Sequence, residues 1–153
     1  MKILVMGLPD TGKTHLSKRL QRILNCAWFN ADQIRTMAND WNFDVDARNR
    51  QAQRMRNIAD YEISCGNVVI CDFVCPTFET RKIFQADFTI WCDTLQKCKY
   101  EDTNRIFEEP TKYHIRLKKW TDANRLCNYL EDGNHGTKAT LNFLKGLSKK
   151  LDR

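Results

Sequence analysis

The strongest chemical signal in the sequence is Gly7-Leu8-Pro9-Asp10-Thr11-Gly12-Lys13-Thr14. Its two glycines let the backbone turn sharply, so that successive N–H groups face one anion, and a helix opening behind them adds partial positive charge. Lys13 brings a full charge to β- and γ-phosphates, and the Thr14 hydroxyl is an oxygen ligand for magnesium. The stretch therefore predicts a site for ATP with Mg2+, bound by Gly7 through Thr14, with Lys13 also catalytic. A plain strand-turn-helix corner would explain the glycines but not Lys13 beside Thr14.

A phosphoryl donor needs an acceptor. Asp32 and Arg35 are spaced to share one helix face. A carboxylate there can orient an attacking hydroxyl while a guanidinium neutralises anionic charge, which makes both candidate catalytic and substrate-binding residues. A helix cap plus a surface ion pair would give the same pattern. Asp72, ending the apolar run Val68 to Cys71, is a second candidate metal residue beside Thr14. Its structural alternative is a helix cap or turn residue.

These residues need elements to carry them. Lys2 to Met6 reads as a buried strand running into the glycine-bounded loop, then a helix through about Leu24. Ala27 to Phe29 reads as a strand, followed by a helix capped by Asn30 or Asp32. A helix over Asp46 to Ser64 ends near Gly66 and leads into the strand Val68 to Cys71. Pro76 to Gln85 reads as a helix, Phe88 to Cys92 as a strand and Thr94 to about Asp102 as a helix. Tyr113, Ile115 and Leu117 alternate as a last strand, and Thr137 to about Lys150 is amphipathic through Leu141, Leu144 and Leu147. Thr121 to Gly136 has no clear pattern. Alternating strands and helices imply an α/β fold: a three-layer P-loop arrangement with a parallel sheet of about five strands, and ligands at the strands' carboxyl ends.

At 153 residues the chain fits a single domain spanning 1–153. No apolar run approaches bilayer length, and the N-terminus lacks a cleavable export pattern, so the expectation is a cytoplasmic protein without a membrane partner. Seven cysteines, with no C-x-x-C pair, read as reduced thiols that mostly fill the core. Lys and Arg exceed Asp and Glu by 25 to 19, a net charge of +6 that suits anionic ligands such as nucleotides or nucleic acid. A solvated basic surface would give the same balance. None of the three histidines falls at a predicted site.

From Met1 to about Cys98 the order of features resembles the adenylylsulfate kinase family, which phosphorylates the 3′-hydroxyl of adenosine 5′-phosphosulfate with ATP. The family's Asp-Gly-Asp-Asn-Val-Arg is similar to Asn30 through Arg35. Its Leu-Gly-Phe and Arg-Asn-Glu-Asn resemble Trp41-Asn42-Phe43 and Arg48-Asn49-Arg50-Gln51, and its Phe-Ile-Ser-Pro resembles Phe73-Val74-Cys75-Pro76. The resemblance implies that Phe43 stacks on the acceptor adenine, that Arg48 and Gln51 reach its sulfate and phosphate, and that Phe73 lines the site. Read from the residues alone, Phe43 is equally a core aromatic, and Arg48, Arg50, Arg54 and Arg56 an exposed basic face. The chain departs from the family at Asn30, Gln51, Cys75 and the added Asp72. Its lid shrinks to Glu101 through Phe107, where Arg105 stands in for a family lysine.

The expected activity is transfer of the ATP γ-phosphoryl group to a nucleotide hydroxyl, with the 3′-hydroxyl of adenosine 5′-phosphosulfate the favoured acceptor. Polynucleotide 5′-hydroxyl kinases share the loop and the Asp-x-x-Arg segment, so nucleic acid is the alternative acceptor. A non-catalytic nucleotide-binding module is the third reading. The sequence leaves open a homodimer in which a second subunit completes the short lid.

Overall fold

In the computed structural model, residues 1–132, 139–140 and 142–146 are described. Five strands form one parallel sheet: β1 (Lys2–Met6), β2 (Ala27–Asn30), β3 (Val69–Asp72), β4 (Phe88–Cys92) and β5 (Ile115–Leu117), in the order β2-β3-β1-β4-β5. All five residues of β1 are buried, because helices cover both faces of the strand and leave no side of it to water. Its side chains alternate between two cores. Ile3 and Val5 pack with Leu16, Leu20, Ile90 and Cys127 on one face, and Leu4 and Met6 pack with Met55, Ala59 and Phe84 on the other.

The helices are α1 (Lys13–Leu24), α2 (Ala31–Ala38), α3 (Val45–Ser64), α4 (Phe78–Phe84), α5 (Glu101–Ile106) and α6 (Trp120–Asp132). Side chains mark their starts: Asn30 accepts from the Gln33 N–H for α2, Asp44 from the Ala47 N–H for α3, and Thr77 with Thr80 forms a reciprocal cap on α4. None of the helices among the described residues is long and apolar enough to cross a membrane.

The helix predicted from Thr94 to Asp102 does not form; only Glu101–Ile106 is helical. Side chains take over that backbone. Asn104 bonds both the N–H and the carbonyl of Cys98 at 2.9 Å, and the Thr94 hydroxyl donates to the Thr11 carbonyl at 3.0 Å. Trp120 to Asp132, left unassigned by the sequence pattern, is the helix α6. In the C-terminal stretch residues 139–140 and 142–146 are helical and Leu144 is buried; Leu141 and Leu147 lie outside the described residues.

All seven cysteines are free, and Cys71, Cys75, Cys92 and Cys127 are buried. Ile70 lies on β3 between β2 and β1, fully enclosed. Ile70→Ala should cost about 2–5 kcal/mol in chemical denaturation, and a loss below about 1 kcal/mol would show that the sheet interior relaxes around the gap.

Candidate active site

The sheet reverses its direction of travel beside β1, so the loops after β1, β2 and β3 open into one crevice at the carboxyl edge. The loop after β1 folds back on itself: the Thr11 hydroxyl and the Lys13 ammonium both donate to the Leu8 carbonyl, at 2.7 and 2.8 Å. Two glycines are sterically required. A Cβ on Gly7 would stand 2.3 Å from the Cys92 carbonyl oxygen, and one on Gly12 would stand 2.1 Å from the Trp120 ring; both have positive φ. Burial lowers the pKa of Lys13, while Asp72, Asp32 and Asp10 oppose that shift.

Register places the next groups. Asn30 and Asp72 are cross-strand partners on β2 and β3. The Asn30 amide donates to the Asp72 carboxylate at 2.6 Å and reaches the Thr14 hydroxyl at 3.3 Å, and the Trp28 indole N–H donates to the other Asp72 oxygen at 2.8 Å. Burial raises the Asp72 pKa and these two donors oppose it. Thr14 and Asp72 are hard oxygen donors drawn together by one amide. No group of three or more His, Cys, Asp or Glu side chains forms a cage among the described residues. That donor set fits magnesium, which takes one or two protein oxygens and completes its shell with water and phosphates.

Across the crevice, Asp32 is exposed in the first turn of α2 and close enough to act electrostatically on both Lys13 and Arg35. It does not cap α2, since Asn30 does, and no ion pair among the described residues joins it to Arg35. Arg35 is buried and donates instead to the carbonyls of Asp40 and Asn42, both at 2.9 Å. Arg48 is also buried. It donates to the Phe43 carbonyl at 2.7 Å, to Asp102 at 3.0 Å and to Thr103 at 3.2 Å. Their guanidinium carbons lie 4.6 Å (Arg35) and 5.4 Å (Arg48) from the centroid of the half-exposed Phe43 ring. Gln51 donates to the Ala31 carbonyl at 3.1 Å and accepts from Arg54.

A cavity of about 800 Å3 connects these groups. Its lining joins Pro9, Asp10, Gly12, Lys13 and Thr14 of the phosphate loop to Asp32 and Asp72 and to Arg35, Phe43, Arg48, Gln51 and Phe73. Gly7, Leu8 and Thr11, though part of the same loop, are not among the lining residues. Arg105, expected to bind substrate, does not line the cavity. It is 76% exposed and faces Glu101 at 3.8 Å, while Asp102 and Thr103 line the cavity and meet Arg48. His15 does line the cavity, contrary to the expectation that no histidine would. The sequence reading also missed Trp41, Tyr100 and Trp120, whose contributions depend on loops with no periodic signal.

The fold and this crevice define the P-loop class of α/β proteins to which several small-molecule kinases belong. Residues 1–122 match the profile of the adenylylsulphate kinase family, and the chain belongs to that family. It is 31% identical to an adenylyl-sulfate kinase of Shewanella baltica over 90 residues, which are 55% of this chain and 44% of that protein. A second, from Shewanella pealeana, is 32% identical over 54% of this chain and 43% of its own length. The chain thus spans less than half the length of the curated relatives it matches. In fold it is similar to a Mycobacterium tuberculosis APS kinase in complex with AMPPNP and APS, with a TM-score of 0.71 and 18% identity over 86% of this chain and 95% of that one. Shikimate kinase from Aquifex aeolicus is similar at a TM-score of 0.59 and 15% identity, over 87% and 95%.

Asp40 ties together the segment carrying Phe43 and the helix α3, accepting from Arg50 at 2.8 and 3.0 Å and from Arg54 at 3.0 Å. The Arg50 and Arg54 hydrogen bonds hold its carboxyl well below the usual carboxylate range. A folded pKa below the unfolded value adds stability that is complete above the unfolded pKa, about 4, and is lost as pH falls through the folded one. Asp40→Asn should therefore lower the denaturation midpoint at neutral pH, and its gap from the native protein should narrow steadily as pH drops below about 4. A gap independent of pH would assign Asp40 a purely packing role.

Proposed function

We propose that this protein transfers the γ-phosphoryl group of ATP to a hydroxyl of a small nucleotide, with the 3′-hydroxyl of adenosine 5′-phosphosulfate as the favoured acceptor. The observation that carries this reading is that one cavity is lined both by the phosphate loop and by Asp32, Arg35, Phe43 and Arg48. Such an arrangement brings two substrates together and holds the hydroxyl near the transferring group.

In this reading the backbone of Gly7 to Thr14 and the Lys13 ammonium hold the donor phosphates and balance charge that builds on them. Asp32 orients the acceptor hydroxyl in line with the γ-phosphorus and takes its proton as the new O–P bond forms and the bond to the β-phosphate oxygen breaks. Arg35 and Arg48 bind the acceptor's anionic groups, Gln51 supports the helix junction beside them, Phe43 offers its face to the base, and Phe73 walls the site. Thr14 and Asp72 hold magnesium, which when bound supplies charge neutralisation at the phosphates.

The decisive assay offers labelled ATP and magnesium with adenosine 5′-phosphosulfate, a 5′-hydroxyl oligonucleotide or simple nucleosides. Label should pass to the sulfate nucleotide. Asp32→Ala should slow transfer by roughly 100-fold or more while ATP still binds, and Lys13→Ala should abolish nucleotide binding. Unchanged transfer in Asp32→Ala with every acceptor would remove Asp32 from the chemistry.

One observation favours a second reading, a polynucleotide 5′-hydroxyl acceptor. The helix next to the acceptor end, α5, has only six residues, and Trp41, Phe43 and Tyr100 remain about half exposed at the cavity, where an extended strand could lie. Labelling of the oligonucleotide alone, with affinity falling steeply as salt rises, would establish that reading over the first.

A further inference from the structure

The donor end of the cavity holds one residue that the proposed chemistry leaves unused. Trp120 opens α6 directly after β5, and the six-membered part of its indole lies against Gly12. The residue is nevertheless 51% exposed. It lines the main cavity and also a small hollow of about 80 Å3 between α1 and α6. A tryptophan serving only as packing would be expected deeper in the core; this one covers the phosphate loop and keeps surface open to the cavity.

The backbone that carries the ring is also fixed. The Asp122 carboxylate accepts from the N–H groups of Lys118 and Lys119 at 3.0 and 2.9 Å, which sets the turn leading into Trp120. One step earlier, Arg116 clamps Asp93 at 2.6 Å and stands 4.2 Å over the Trp91 ring, and the Asp93 N–H donates to the Leu117 carbonyl at 2.8 Å. The Thr94 hydroxyl anchors the same side to the Thr11 carbonyl. A rigid aromatic surface placed beside a phosphate cradle needs little ordering when a ligand arrives.

We propose that Trp120 is the stacking platform for the base of the donor nucleotide, and that this end of the site reads the face of the base rather than its edge. The proposal rests on the reading of Gly7 to Thr14 as a nucleoside triphosphate site. With the proposed acceptor beside Arg35, Phe43 and Arg48, a nucleoside leaving the phosphate loop has Gly12, His15 and Trp120, which line both the cavity and the small hollow, as its surface. Of the polar side chains near the ring, the Thr94 hydroxyl is committed to Thr11 and the Asn124 carbonyl oxygen to Arg19 at 3.0 Å. Stacking accepts any base, because each has a π-face, so the donor preference for one purine over another is weak.

The test is calorimetric titration of native protein, Trp120→Ala and Trp120→Phe with the magnesium salts of ATP, GTP and inorganic tripolyphosphate. Native protein should bind ATP and GTP with similar affinity, and both more tightly than tripolyphosphate. Trp120→Ala should weaken ATP and GTP alike by roughly 5- to 150-fold, the range expected for one lost base stack, and leave tripolyphosphate unchanged. Trp120→Phe, which keeps a ring, should recover most of that loss. Unchanged or tighter ATP binding in Trp120→Ala would overturn the platform, as would an equal loss for tripolyphosphate, which would make Trp120 a prop of the loop. Native protein that binds tripolyphosphate as tightly as ATP would overturn the platform while leaving the phosphate site standing. Native protein that binds none of the three would overturn both.

Discussion

The site depends on one cross-strand pairing, Asn30 against Asp72. Parallel register sets the two residues side by side at the carboxyl edge, and the Asn30 amide then touches the Asp72 carboxylate and the Thr14 hydroxyl while its oxygen caps α2. A buried carboxylate is costly unless its oxygens are satisfied, and here Trp28 and Asn30 serve one oxygen each with Lys13 close by. Slipping β2 by one residue against β3 would turn Asn30 to the other face of the sheet. That slip would separate the phosphate loop, the strand-end acid and the start of α2 in one step.

The part of the cavity around Phe43 is assembled by arginines acting on backbone. Arg35 holds the carbonyls of Asp40 and Asn42, Arg48 holds that of Phe43, and Arg50 and Arg54 converge on the Asp40 carboxylate. A guanidinium has five donors in a fixed fork, so it can secure a carbonyl on one side and still present N–H groups on another. Arg35 and Arg48 use this twice over: they shape the loop carrying Phe43 and they line the cavity that the loop borders. A lysine at either position would supply charge without that geometry.

Much of this was legible in the sequence, for identifiable reasons. Buried parallel strands read as continuous apolar runs, so β1, β3 and β4 could be placed closely, and the phosphate loop announced itself through Lys13 and Thr14 between a strand and a helix. Asp72 was visible because an acid ending an apolar run needs a reason. The failures came where long-range side-chain contacts decide the outcome. Asn104 and Thr94 withdraw the 94–100 backbone from helix formation. Arg105 stays out in solvent beside Glu101, while Arg48, from a distant helix, engages Asp102. Neither Trp120 nor His15 could be assigned to the cavity, since their place depends on how α6 and α1 meet above Gly12.

Phe43 and Trp120 show a shared construction at the two ends of the cavity. Phe43 rests against the two arginines expected to meet acceptor anions, and Trp120 rests against a glycine of the loop expected to meet donor phosphates. Each aromatic ring is seated on the element proposed to bind anions in its own half. The distance from anion to aromatic face is therefore fixed by a direct contact rather than by the packing of separate domains. A nucleotide has a similarly limited spacing between phosphate and base, so ligands whose base and anion match that spacing gain both contacts, and ligands with only one gain only part of the binding. A short lid is compatible with such a design, because much of the orientation that a closing lid would impose is already built into the rigid walls.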